Sequence, residues 1–317
     1  NDVARLAPVK AKRAQLSAMG MGVYFAQEGV LEFAVKEWGP QPLQILLTSI
    51  DCNGQNLAIA ADTGAKELKD LKGKRVGFVV GSPALTQNAL AMLAFGDLKK
   101  EDVKIIEFAG FGAMWKGLIN NDVDAGFGST ISGTAKELET SPRGLVWPPL
   151  PADDKAGWAR VKKIAPFFFP HVATCGAAGL SPKSPKQMGS FPYPVYMIYA
   201  STPEAEAYAI TKGMADTYDA YKDATPGASG LEISQQTTQW VVPFHAGAVK
   251  VLKERGKWTD ADESHNKALL ERQKVLADAW AAFLKSNPPE DKDEFRKAWM
   301  GARNAALTTR DVGKSRR

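Results

Sequence analysis

Residues 68–134 constrain this chain more than any other stretch, because an apolar run, a tight turn and a helical pattern follow one another there three times over. Residues 75–80 are followed by Gly81, Ser82 and Pro83, and then by Ala84, Leu85, Asn88, Ala89 and Met92 at helical spacing. Ser82 is placed to be the N-cap and Pro83 the first helical residue. Residues 103–108 lead into a helix from Gly112, and residues 125–128 pass through Ser129 and Thr130 into a helix to Leu138. Strand–helix alternation predicts a parallel sheet, in which ligands sit at the carboxyl ends of strands, where the helices begin. Two of those ends are Gly/Ser/Thr turns, whose backbone N–H groups and hydroxyls suit an anion such as a carboxylate.

With 317 residues the chain has room for two domains, and Lys+Arg 40 against Asp+Glu 35 leaves a net charge of +5. No basic block is interleaved with aromatics, and the one dense cationic cluster is the terminal KSRR, so a nucleic-acid footprint is not expected. No apolar run approaches the roughly 18 residues of a membrane span. The chain does not begin at Met and shows no signal-peptide pattern, which predicts an N-terminal segment cleaved or lost. Cys52 and Cys175 are too few and too far apart for a zinc framework. Two separate buried thiols are the expectation, with a disulfide in an oxidising compartment as the alternative.

Along the chain, residues 41–49 and 57–62 read as strands of a first lobe, so the first crossing between lobes is expected at 63–69 and the return at 190–199. That divides the chain into 1–67 (first lobe), 68–189 (second lobe), 190–258 (first lobe again) and a helical extension, 259–317. In the extension Leu269, Gln273, Leu276, Trp280, Phe283 and Leu284 share one helical face, with Phe295, Trp299 and Met300 on a second helix. An extra layer packed on the body is expected over a partner-binding device.

His171, His245 and His265 lack metal-ligand spacing, and no nucleophile elbow, Walker loop or dinucleotide fingerprint is present. His245, after a proline and before a helix, reads as structural. Asp122 and Asp124 read as turn and cap residues over an acid/base pair. Trp115 fits a core position or a cleft wall equally. Donors at helix starts without a nucleophile or base favour binding over catalysis, with no cofactor.

Three segments in order, DLKGKRVGFVVGS with TQNA, VDAGFGST and PFHAGAVKVLKERG, make residues 1–258 resemble the substrate-binding proteins of the TAXI branch of TRAP transporters. The resemblance implies a periplasmic protein, after signal-peptide removal, with two α/β lobes of the type II periplasmic-binding-protein kind. Such lobes close about a hinge on a small organic acid and then dock on integral membrane subunits. It places the ligand on Gly81, Ser82, Thr86 and Gln87, on Gly128, Ser129 and Thr130, and from the other lobe on Met19, Gly20 and Tyr24, with Tyr193 a weaker candidate. Family members open with a strand and a Gly/Thr-rich loop, so roughly 50 residues are expected before Asn1. Where glutamate-binding members carry polar residues this chain has Met19, Gly20 and Met21, which argues against an amino-acid ligand. The competing classes are an enzyme on the same two-lobed fold, for which Asp124 and Lys116 are the nearest candidates, and a ligand-sensing effector domain.

Overall fold

The computed structural model describes residues 2–80, 82–224 and 227–315, with side chains to residue 309. The strands are β1 (Ser17–Met19), β2 (Leu43–Thr48), β3 (Gln55–Ala60), β4 (Arg75–Val79), β5 (Lys104–Phe108), β6 (Ala125–Ser129), β7 (Leu145–Val146), β8 (Phe169–Ala173), β9 (Lys186–Ser190) and β10 (Val195–Tyr199). The helices are α1 (Asp2–Lys10), α2 (Gly22–Glu28), α3 (Pro83–Phe95), α4 (Phe111–Ile119), α5 (Gly133–Thr140), α6 (Lys155–Ile164), α7 (Glu204–Asp216), α8 (Tyr218–Tyr221), α9 (Ala246–Glu254), α10 (Asp260–Lys285) and α11 (Lys292–Ser315). They form two compact units: unit 1, Asn1–Ile50 with Pro192–Arg317, and unit 2, Asp51–Phe191.

In unit 2 the strand order is β5-β4-β6-β3-β9-β8, with β7 pairing to β3. β4 runs parallel to β5 and β6, as the strand–helix alternation predicts, whereas β3, β9 and β8 are antiparallel to their neighbours. β3, QNLAIA, is buried at every position, as a strand covered on both faces must be. α3 packs on β3, β4 and β6, and α6 covers α3. Unit 1 is built on a smaller antiparallel sheet, β1-β10-β2. The outer edge of β2 is closed by the segment before α9, where Ile45 N–H donates to Pro243 O (2.8 Å) and His245 N–H to Ile45 O (2.9 Å). The chain has the expected class, two α/β units with a C-terminal helical extension.

Two expectations need correction. The first crossing lies between Ile50 and Asp51, ahead of residues 63–69, because β3 pairs with β6 from Gln55↔Ser129 to Ile59↔Ala125 and so belongs to unit 2. β2 and β3 are both unbroken apolar runs, and only the pairing partner tells which sheet each joins. Cys52 and Cys175 are joined in a disulfide, with Cα atoms 5.4 Å apart across a separation of 123 residues. Thr174 N–H donates to Cys52 O at 2.8 Å, which brings the two backbones together.

The extension packs into unit 1. α10 opens with a reciprocal cap, Thr259 with Asp262, and several hydrogen bonds hold the Asp262 carboxyl down at about 2 against the upward push of its burial. Phe283, Phe295 and Trp299 are buried with Ala34, and Trp280 meets Trp299 edge-on at 4.7 Å. Each such aromatic pair contributes about 1 kcal/mol beyond its buried area. Trp299 also donates its indole N–H to Gly29 O at 2.7 Å.

Candidate functional site

The carboxyl ends of β5, β4 and β6 lie side by side in unit 2 because those strands are parallel neighbours. Val80 N–H donates to Phe108 O (3.0 Å), tying the first two ends together. The pairing Val76↔Ala125 and Gly77↔Gly126, carried on in register, sets Val80 level with Ser129. The turn after β4 carries Ser82 at the N-cap position of α3, but its hydroxyl makes no cap hydrogen bond. Its backbone oxygen instead accepts from Leu85 and Thr86 N–H. Thr86 donates its hydroxyl to Val79 O (3.2 Å) and Gln87 its amide to Ile164 O (2.9 Å), so both side chains are engaged inside the unit. Gly81 lies outside the described residues.

At the end of β6 the expected cap shifts. Ser132, not Ser129, caps α5 by accepting from Ala135 N–H at 3.2 Å. That leaves Ser129 in the strand, half-buried, its hydroxyl 3.4 Å from Asn53 Oδ1. Thr130 does not belong on a ligand surface. It is fully buried, accepting from Gly54 N–H (3.1 Å) and donating to Cys175 O (2.9 Å), and its backbone oxygen takes Ala177 N–H at 2.8 Å. Gly128 is also buried, and a Cβ there would stand 2.4 Å from the Trp115 ring, so this glycine admits an indole and not an anion. Trp115 is accordingly a core residue of α4.

In unit 1 the structure brings Gly20 and Tyr193 together: a Cβ on Gly20 would lie 2.8 Å from the Tyr193 ring. Tyr193 is 49% exposed and precedes a cis peptide bond to Pro194. Met19 is wholly buried, pairing with Val195 in β1, and so is corrected to a core residue beneath the Gly20–Tyr193 surface. Tyr24 is half-buried in α2, and burial, reinforced by the nearby Glu28 carboxylate, pushes its phenol up so that it stays neutral.

Of the groups considered for acid–base chemistry, Asp124 and His245 are engaged. Asp124 accepts from Arg75 N–H (2.9 Å), from Arg75 Nε (3.2 Å) and from Arg75 Nη2 (2.6 Å), with Arg143 Nη2 at 3.6 Å. Burial pushes its carboxyl up, and the Arg75 hydrogen bonds and both guanidiniums outweigh it, leaving the group below its ordinary value. It is thus an ion-pair residue, neither the cap the sequence suggested nor a free base. His245 accepts from Gly247 N–H through Nδ1 (3.2 Å) and faces Thr202 O through Nε2 (3.1 Å), which fixes the proton on Nε2 and makes it the cap of α9. Among the described residues no cluster of His, Cys, Asp and Glu could hold a metal, and no helix is long and apolar enough to cross a membrane.

The signal missed in the sequence was the apolar residue beside each hydroxyl turn. Val80 is 56% and Ile131 39% exposed, although both read as ordinary strand and helix-start residues.

Comparison with curated protein sequences finds no match. Among solved structures, the periplasmic aliphatic sulphonate binding protein of Escherichia coli aligns with 98% of this chain and 75% of its own at 15% identity, TM-score 0.37. The L-cystine solute receptor of Neisseria gonorrhoeae aligns over 71% of each chain at 13% identity, TM-score 0.34. A desulfurization enzyme, DszB, aligns with 93% of this chain and 85% of its own at 14% identity, TM-score 0.39. These likenesses are loose, and no residue role is transferred from them. The sequence itself matches a family model over residues 3–256, most of its length, and the chain belongs to the NMT1-like family.

Proposed function

We propose that this chain is the extracytoplasmic solute-binding subunit of a transporter of the TRAP type, TAXI branch. It takes up a small organic acid or related anion and delivers it to integral membrane subunits. The observation that carries this reading is the pair of adjacent strand ends in unit 2, where Ser82 and Ser129 offer uncommitted or weakly engaged hydroxyls while Asp124 is locked to two arginines. Donors without a free acid, base or nucleophile suit reversible binding. The ligand residues proposed in unit 2 are Ser82 and Ser129; within unit 1 the candidates are Gly20 and Tyr193, with Tyr24. Thr86 and Gln87 hold the first turn in place. The Cys52–Cys175 disulfide supports an oxidising compartment, and the periplasm, reached by export with loss of a signal peptide, is the proposed one.

A thermal-shift screen of the folded chain against dicarboxylates, keto acids, amino acids and aromatic acids tests the proposal. A ligand at about 100 times its Kd stabilises the protein by about 2.7 kcal/mol. A rise in Tm with one class, lost in Ser82→Ala with Ser129→Ala, supports it. A flat profile with every class overturns it. Turnover of a bound acid that disappears in Asp124→Asn would move the chain to the enzyme class.

A further inference from the structure

We infer that the site takes a monoanion with an apolar body, an aliphatic or aromatic monocarboxylate, and discriminates against dicarboxylates and amino acids, with Val80 and Ile131 as the residues that set this preference. The inference rests on the solute-binding reading above and narrows it.

It starts from what the three strand-end turns lack. Residues 80–84, 108–112 and 129–134 contain no Lys, Arg, His, Asp or Glu. One carboxylate can be held by neutral N–H and O–H donors. A second carboxylate on the same ligand would be desolvated without a cation to face it, and an ammonium group without a carboxylate to face it. Burying either charge unpaired costs more than the contact area returns.

The second observation is what those turns do present. A single exposed aliphatic side chain on a protein surface calls for no explanation. Among the described residues, however, five large hydrophobics are exposed, and three of them fall at the candidate surfaces: Val80, Ile131 and Tyr193. Val80 directly precedes the turn to Ser82, and Ile131 follows Ser129 by two residues. Because β4 and β6 are paired neighbours, each hydroxyl turn is flanked by a branched aliphatic chain, and adjacent strands stand only about 4.8 Å apart. The backbone of Val80 is committed through its bond to Phe108 O, so its side chain is held outward by the sheet itself and not by a mobile loop. A donor pair bordered by two outward aliphatic groups is complementary to a carboxylate carried on a hydrocarbon.

The test is isothermal titration of the full chain with a matched series: butyrate, pentanoate and hexanoate, then adipate, in which a second carboxylate replaces the terminal methyl of hexanoate, and norleucine, which adds an ammonium. Affinity should rise about fourfold for each methylene from butyrate to hexanoate. Hexanoate should exceed adipate and norleucine by about tenfold or more. Val80→Ser with Ile131→Ser should lower hexanoate affinity by about tenfold and flatten the chain-length dependence, with the ligand-free Tm unchanged because both side chains are exposed. Adipate or norleucine binding as tightly as hexanoate overturns this inference and leaves the solute-binding reading standing. Binding of none of the five by a chain that still melts cooperatively overturns this inference, and the solute-binding reading falls with it only when the thermal-shift screen is flat with every class as well.

Discussion

Each unit contains one acidic residue gripped by two arginines, and the two grips differ in what surrounds them. In unit 1 Glu28, at the end of α2, is fully buried. It accepts from Arg272 Nε (2.7 Å) and Nη2 (2.8 Å) of α10 and from Arg303 of α11. In unit 2 Asp124, just before β6, holds the one-third-exposed Arg75 and the buried Arg143. The unit 1 cluster binds a short helix to a segment about 250 residues away in sequence, whereas the unit 2 cluster ties together strand ends of a sheet that hydrogen bonds already hold. Burial decides the consequence. A charge with no water to turn to must keep its partners, and one at the surface can be rescued by solvent.

The largest expected effect comes from removing residues 259–317. That deletion takes both arginines from Glu28, takes Gln273 from Gln27 and Leu43 O, and uncovers Ala34 and Gly29 O. The shortened chain should lose its cooperative melt or aggregate on size-exclusion chromatography. A soluble product with unchanged Tm would show that the extension is an appendage. Next is Glu28→Gln, which leaves two guanidiniums in a buried site and should cost about 3–5 kcal/mol in urea unfolding. Asp124→Asn should cost clearly less, about 1–2 kcal/mol, because Arg75 can reach water. Equal losses would erase the distinction between the two clusters.

Cys52→Ser with Cys175→Ser should cost about 2–4 kcal/mol, the range for closing a long loop, read as the difference between oxidised protein and the double variant. The pH dependence sharpens the comparison further. Burial raises the Glu28 carboxyl, but Arg272 and Arg303 outweigh it, so its folded value lies below the ordinary 4.5. The unfolded chain therefore binds this proton first as pH falls. The stability from Glu28 is complete above about pH 5 and is lost as pH drops through 4.5 towards the folded value. Glu28→Gln should flatten the acid limb of the Tm–pH curve more than Asp124→Asn does. The smallest effect on the ligand-free protein should come from Ser82→Ala with Ser129→Ala. Neither hydroxyl caps a helix, so Tm should stay within about 2 °C, less than 1 kcal/mol for a chain of this size.

The unit 2 core of the fold was legible because its signals are local. Residues 75–80 with Ser82 and Pro83 announce a strand, a turn and a helix start from neighbours in sequence, and the helix found is Pro83–Phe95. The face of α10 could be read in the same way, since Gln273, Leu276 and Phe283 recur at helical spacing and are buried. Of the site, the turns were legible and the roles were not. Ser129 and Ser132 are both serines before a helix, and only the backbone conformation at Ser132 makes it the cap. Gly128 reads as a glycine of a ligand-holding turn until Trp115, thirteen residues earlier, is seen to occupy the space of its missing side chain. Likewise, Ser201 and Glu204 have capping-box spacing, yet α7 begins after Pro203 with no side-chain cap.

The sequence by itself determined the strand–turn–helix repeat, the uncharged turns and the amphipathic extension, because periodicity, turn chemistry and composition act over a few residues. Only the tertiary structure decided that β3 belongs to unit 2, that Cys52 meets Cys175, that Thr130 is sealed inside while Val80 and Ile131 face out, and that Glu28 is held by the extension. Each of these depends on which distant segment arrives at a given surface. That choice is made by the pairing and burial of the whole chain, which no local pattern encodes.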